Sequence, residues 1–126
     1  MCPVYINRIA SIHAESRNEK PYFSAQEPDY KEMITNANLR RRMSRMIKMG
    51  VACGLECLKD IPSEKVDAII TATGLGCLAD TEKFMNALMD NREQMLNPTA
   101  FIQSTFNTVG AQLALLLKIH AYNVTY

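Results

Sequence analysis

The stretch Asp67-Ala68-Ile69-Ile70-Thr71-Ala72-Thr73-Gly74-Leu75-Gly76 constrains this chain more than any other. A short apolar run rich in β-branched residues, closed by two glycines, reads as a buried strand over residues 66–73. The strand ends in a turn built from residues able to take φ > 0. A buried strand needs helices laid over it, so the run points to an α/β arrangement with helices on both faces of a sheet.

The rest of the chain supplies the other elements. Residues 4–12 alternate loosely and carry Val4, Tyr5 and Ile6, which predicts a first strand. Residues 13–29 are polar and hold Pro21 and Pro28, the composition of an exposed loop. A long helix is predicted over residues 38–59, where Met43, Ile47, Val51, Leu55 and Leu58 recur at three- and four-residue intervals. Gly50 and Gly54 sit one turn apart on or beside that stripe. Each costs about 1 kcal/mol relative to alanine in a helix interior, a cost that close approach to another sheet or helix would offset. Pro62 and Ser63 close the element. A second helix is predicted over residues 80–89, capped by Asp80 or Thr81, with Phe84, Met85 and Leu88 on its apolar side. Asn97-Pro98 reads as a break, residues 101–106 as irregular, and residues 108–119 as a third helix carrying Val109, Leu113, Leu116 and Leu117. Residues 122–126 begin a further strand. The order predicts one α/β domain over residues 1–126, incomplete because its last strand has only begun.

Composition excludes several functions. A formal net charge of +1 gives no broad field for nucleic acid or an anionic membrane. The basic run Arg40, Arg41, Arg42, Arg45 and Lys48 reads as a solvated helix face. No uninterrupted apolar stretch is long enough to span a membrane, and the N-terminus lacks the basic-then-apolar order of an export signal. Cys2, Cys53, Cys57 and Cys77 are therefore expected to be reduced thiols in a cytoplasmic protein. Cys53 and Cys57 share a helix face, but His13 and His120 are not in ligand spacing, so the cysteines read as small buried hydrophobes and no metal is expected. Gly74-x-Gly76 lacks the third glycine of a dinucleotide fingerprint, with Ala79 and Asp80 following instead, and no cofactor is expected. Cys77, the one cysteine in a loop after a strand, has no histidine near it in sequence and reads as packing rather than as a nucleophile.

Four stretches, in order, resemble the N-terminal half of the β-ketoacyl synthases, condensing enzymes of thiolase fold. Leu39-Arg40-Arg41-Arg42-Met43-Ser44-Arg45-Met46 resembles the arginine-rich opening of the family's first long helix, and residues 51–58 its alanine- and leucine-rich continuation. Asp67 to Gly76 resembles the strand and glycine turn that follow. Phe101-Ile102-Gln103-Ser104-Thr105-Phe106-Asn107-Thr108-Val109-Gly110-Ala111-Gln112 resembles the segment leading into the helix before the active site, and is the most specific of the four. The resemblance spans nearly the whole chain and is nearest to the divergent ketosynthase-like proteins of bacterial aryl-polyene and related polyketide pathways.

The resemblance implies the N-terminal part of a thiolase-like fold, a mixed sheet with helices packed on it. It also implies that the nucleophilic cysteine would fall a few residues past Tyr126, with the catalytic histidines and an ordering lysine further on. None of the four cysteines, and neither histidine, matches those positions, so no catalytic residue is assigned. Phe101, Ile102, Ser104, Thr105, Phe106 and Asn107 are then candidates for an acyl pocket or a dimer contact, with plain core and loop the equal alternative. The implied partners are a second copy of the chain or a complementary ketosynthase half, and an acyl carrier protein reached through the Arg40 to Lys48 run. An alternative role is a non-catalytic partner resembling a chain-length factor. Apolar faces left by half a fold predict an oligomer, with the helices over 38–59 and 108–119 as the expected contacts.

Overall fold

A computed structural model describes residues 3–14 and 24–126. Six helices and two strands follow in order: α1 (Tyr30–Met33), α2 (Ala37–Arg42), α3 (Arg45–Cys57), β1 (Ala68–Thr71), α4 (Leu78–Asp90), α5 (Pro98–Ser104), α6 (Thr108–Leu117) and β2 (Tyr122–Thr125). A 3₁₀ turn at Ser63–Lys65 leads into β1. The α/β expectation holds. The sheet among the described residues is one parallel pair, Ala68 opposite Tyr122 through Thr71 opposite Thr125. A parallel pair needs a long crossover, and α4, α5 and α6 provide it.

The expected long helix is two helices. Asn36 caps α2 by accepting from the amides of Asn38 and Leu39, and the arginines of its last turn suit the negative end of its dipole. Met43 and Ser44 are then extended, at ψ 132° and 172°. The break sends Met43 into the core at 5% exposure and lets α3 start afresh. The Ser44 hydroxyl is buried without a partner, so packing of Met43 rather than a cap bond holds the break. The apolar stripe survives it: Ile47 and Val51 are fully buried and Leu55 and Leu58 pack against the same cluster.

Gly50 and Gly54 form the notch that α6 fills. A Cβ on Gly50 would stand 2.7 Å from Val109 Cγ1, and one on Gly54 2.6 Å from both Leu113 methyls. On its other side α6 rides directly on the sheet, because a Cβ at Gly110 would meet Asn123 Oδ1 at 2.7 Å and Thr71 Oγ1 at 3.3 Å. Thus α3 and α6 cover each other along the glycine notch, while Met46 of α3 and Leu115 of α6 stay exposed on their other sides. More bare apolar surface lies on Leu78, Met85 and Met89 of α4, Phe101 and Ile102 of α5, and Ile70 and Tyr122 of the sheet.

That sheet face corrects the reading of β1 as buried on both sides. Alternation puts Ile69, Thr71, Asn123 and Thr125 toward α6, and Ala68, Ile70, Tyr122 and Val124 on the opposite face. Ile69 is 8% exposed but Ile70 is 67% exposed.

The first predicted strand does not form. Residues 4–12 have no ladder partner among the described residues, and Val4, Tyr5, Ile6 and Ile9 stand exposed. A side chain holds the segment instead: Arg8 donates to the carbonyls of Glu56 (3.1 Å) and Lys59 (2.9 Å) at the end of α3. Of the loop read over 13–29, residues 15–23 lie outside the described residues, and 24–29 have no regular structure. No single helix among the described residues is long and apolar enough to cross a membrane. α5 and α6 pass that test only as a pair, bent by 109°.

Candidate functional site

Ligands of open α/β sheets bind beyond the carboxyl ends of the strands. At that end of β1 and β2 lies a crevice of about 460 Å³. The turn after β1 (residues 73–77), Thr81 of α4, the α5–α6 connection (residues 104–107) and Tyr126 line it. The pairing runs on past the strands to shape its floor, with the Tyr126 amide donating to Thr71 O and the Thr73 amide to Tyr126 O.

Each wall follows from local chemistry. The Gly76 amide donates to the Thr73 hydroxyl at 2.9 Å, closing the turn. Gly76 has φ +58°, and its missing Cβ would lie 3.3 Å from Phe106 Cβ, so only glycine meets both demands. The facing wall is pinned by hydroxyls. Thr108 is 2% exposed and donates toward the carbonyls of Ile102 (2.6 Å) and Thr105 (2.9 Å). Thr105 also donates to Ile102 O, and Ser104 to Phe101 O. These bonds fold the end of α5 into α6 and leave the Phe106 ring at the rim, 61% exposed.

Residues 98–104, expected to be broken or irregular, form a helix. Asn97 accepts from the Thr99 amide and Pro98 occupies the first turn, where its missing N–H costs nothing. This helix divides the six candidates. Ser104, Thr105, Phe106 and Asn107 line the crevice. Phe101 does not; its ring lies against Phe84, with centroids 5.6 Å apart. Ile102 instead lines a smaller hollow of about 120 Å³ with Met43, Ile47 and Gln112. Thr73, Leu75, Thr81 and Tyr126 were missed. For Thr73 and Leu75 the signal was the position of the Gly74-x-Gly76 turn at a strand's carboxyl end; Thr81 and Tyr126 had none.

The crevice lining contains no charged side chain. The hydroxyls of Thr73, Thr81, Ser104 and Thr105 are bonded within its walls, and Leu75, Phe106 and the Tyr126 ring stand exposed around it. Such a surface suits a neutral, largely apolar ligand with few polar atoms. A hollow of similar volume on the outer side of α4 has Glu82, Lys83 and Asp90 in its lining, and α4 with its cap is its whole wall. No second element converges there.

Cys77 is the N-cap of α4, a place expected to go to Asp80 or Thr81; Asp80 sits instead in the first turn. The thiol is 5% exposed. Burial pushes its pKa up, and the Asp80 carboxylate pushes the same way. Burial also raises Cys53, and its neighbour Cys57 adds to the effect. Nucleophilic cysteines need the opposite shift. Alkylation of Cys77 is expected to have a pH profile displaced to the alkaline side of a free thiol's; half-maximal rate below pH 8.5 contradicts this. No group of three or more His, Cys, Asp or Glu gathers among the described residues as a metal site would.

The basic run is spread over the α2–α3 break. Arg40 donates to Ile34 O, Arg41 to Asn38 Oδ1, and Arg45 pairs with Glu27, whose carboxyl is held below its usual range by bonds from Tyr30 and Arg45. Three of the five cations are thus engaged locally.

Residues 13–124 match the family model described as the β-ketoacyl synthase N-terminal domain. A solved structure, a ketosynthase (ApeO) in complex with its chain length factor (ApeC) from Xenorhabdus doucetiae, contains a chain that superposes with a TM-score of 0.62 at 23% identity. The match covers 86% of this chain and 42% of that one, so these residues span less than half of it. The likeness is one of fold. No curated protein matches the chain.

Proposed function

Since the chain belongs to the β-ketoacyl synthase family through its N-terminal domain, we propose that it forms one wall of an acyl-chain pocket and makes no carbon–carbon bond by itself. One observation carries this reading: the crevice at the strands' carboxyl ends has no charged side chain in its lining, bonds its hydroxyls within its own walls, and is rimmed by exposed Leu75, Phe106 and Tyr126. Condensation needs a thiolate to accept the acyl group and imidazoles to assist loss of carbon dioxide from a malonyl unit. Burial and the Asp80 carboxylate push the pKa of Cys77, the thiol in the crevice, up and away from what a nucleophile needs, and His13 and His120 do not line the crevice.

A second polypeptide then closes the pocket. Leu75, Phe106 and Tyr126 stand exposed at the rim and are the surface such a partner would cover. Two partners suit the reading: a polypeptide that supplies the missing half of a ketosynthase, or a complete ketosynthase beside which this chain acts like a chain-length factor. The solved relative, a ketosynthase with a chain length factor, favours keeping the second. The setting is the cytoplasm, where Cys53, Cys57 and Cys77 remain thiols. An acyl carrier protein is the donor of the chain.

The test is sedimentation of the purified chain with condensing-enzyme polypeptides from the same organism. A stoichiometric complex is expected, weakened about tenfold or more by Phe106→Asp, which buries a charge against the partner. A monomer that joins neither a complete ketosynthase nor a complementary half contradicts the proposal.

A further inference from the structure

Thr81 belongs to none of the sequence motifs, yet it ties together the two walls of the crevice. Its hydroxyl stands 3.0 Å from Ser104 O at the end of α5 and 3.2 Å from Cys77 O, one turn back on its own helix. A threonine inside a helix commonly returns its proton to the carbonyl four residues back. Here the shorter contact crosses to another helix. Ser104 O is the carbonyl where α5 ends, and the helix-end carbonyls there have lost their intrahelical partners. The opposite wall approaches two residues later, where Gly76 packs on Phe106.

We infer that Thr81 is a positioning residue: through Ser104 O it holds the Ser104–Asn107 wall against the Gly76–Cys77 turn and so fixes where Phe106 stands over the crevice. The side chain acts through a hydrogen bond to a backbone carbonyl and not through its bulk. Thr81→Val keeps the shape and removes the donor, whereas Thr81→Ser keeps the donor and removes a methyl. The two substitutions therefore separate placement from packing.

Cys77 reports on this directly, since it is buried beneath the contact while Cys53 and Cys57 lie on α3. The experiment is alkylation of the folded chain with N-ethylmaleimide, each cysteine followed separately by peptide mass spectrometry. Thr81→Val is expected to speed labelling of Cys77 about tenfold, the scale of one lost hydrogen bond, with Cys53 and Cys57 unchanged and Thr81→Ser at the parental rate. Equal Cys77 rates in the Val and Ser variants overturn the inference. So does a rise at Cys53, Cys57 and Cys77 together, which is general unfolding.

A second arm rests on the acyl-wall reading: binding of a C6 to C12 series of acyl N-acetylcysteamine thioesters to the chain in its complex. Thr81→Val is expected to shift the preferred chain length, and Thr81→Ser to leave it in place. If the parental complex binds none of the thioesters, the acyl reading fails while the labelling result still decides the role of Thr81. If the parent binds them and Thr81→Val keeps its preference, the positioning of Phe106 is refuted.

Discussion

Ile47→Ala lowers the free energy of unfolding by about 2–5 kcal/mol, the range for truncating a fully buried aliphatic side chain. Ile47 is 0% exposed and sits in the cluster that joins Ile34, Met43, Val51 and Leu113. This cluster draws its members from the end of α1, the α2–α3 break, α3 itself and α6. Domains of this size are stable by only about 5–15 kcal/mol, so the substitution removes a large part of the total. A hollow of about 120 Å³ already lies beside Ile47, so truncation enlarges an existing void. Chemical denaturation followed by circular dichroism measures the loss; a change under about 0.5 kcal/mol, the level of surface substitutions, contradicts this core.

Gly50→Ala is the second. Helix propensity alone favours alanine by about 1 kcal/mol. Against that, the new methyl would meet Val109 Cγ1 at 2.7 Å, and valine is stiff about χ1 and cannot swing aside as a long side chain would. Overpacking of this kind costs about 1–3 kcal/mol, so the net effect is destabilising. Pairing it with Val109→Ala is expected to recover most of the clash, a coupling that a double-mutant cycle reads directly. Gly74→Ala is the control: no atom lies within 4 Å of its Cβ and its φ is not positive, so it is expected to be neutral or slightly stabilising. A higher melting temperature for Gly50→Ala contradicts the α3–α6 packing.

Periodicity made the helices legible wherever a stripe faced one neighbour. Residues 43–58 and 108–119 were readable for that reason, and the glycines on the first stripe signalled a close approach to a sheet or helix, which is α6. What sequence could not supply was the path between stripes. Met43 continues the helical spacing while its backbone is extended, because a residue can enter the core from a break as well as from a helix. Pro98 was read as a breaker, although behind Asn97 it is a helix start. Residues 4–12 carry a strand's composition, but a strand exists only beside a neighbour, which composition does not provide.

The crevice was half legible. Ser104, Thr105, Phe106 and Asn107 came from the family resemblance, and they do meet in space. Phe101 and Ile102 came from the same resemblance, yet they lie on α5, whose helical geometry turns them to other sides. Thr81 and Tyr126 reach the crevice only through the crossover from β1 to β2. No local pattern marks such residues, because it is topology that brings them there.

The central claim is that these residues build a wall and a scaffold but hold no condensing machinery. Its most direct measurement is release of carbon dioxide from malonyl-pantetheine, with an octanoyl thioester present, by the purified chain alone. The account predicts a rate equal to the protein-free blank and no lengthened thioester by mass spectrometry. Carbon dioxide release above the blank, abolished by Cys77→Ser and accompanied by the two-carbon-longer product, would contradict it.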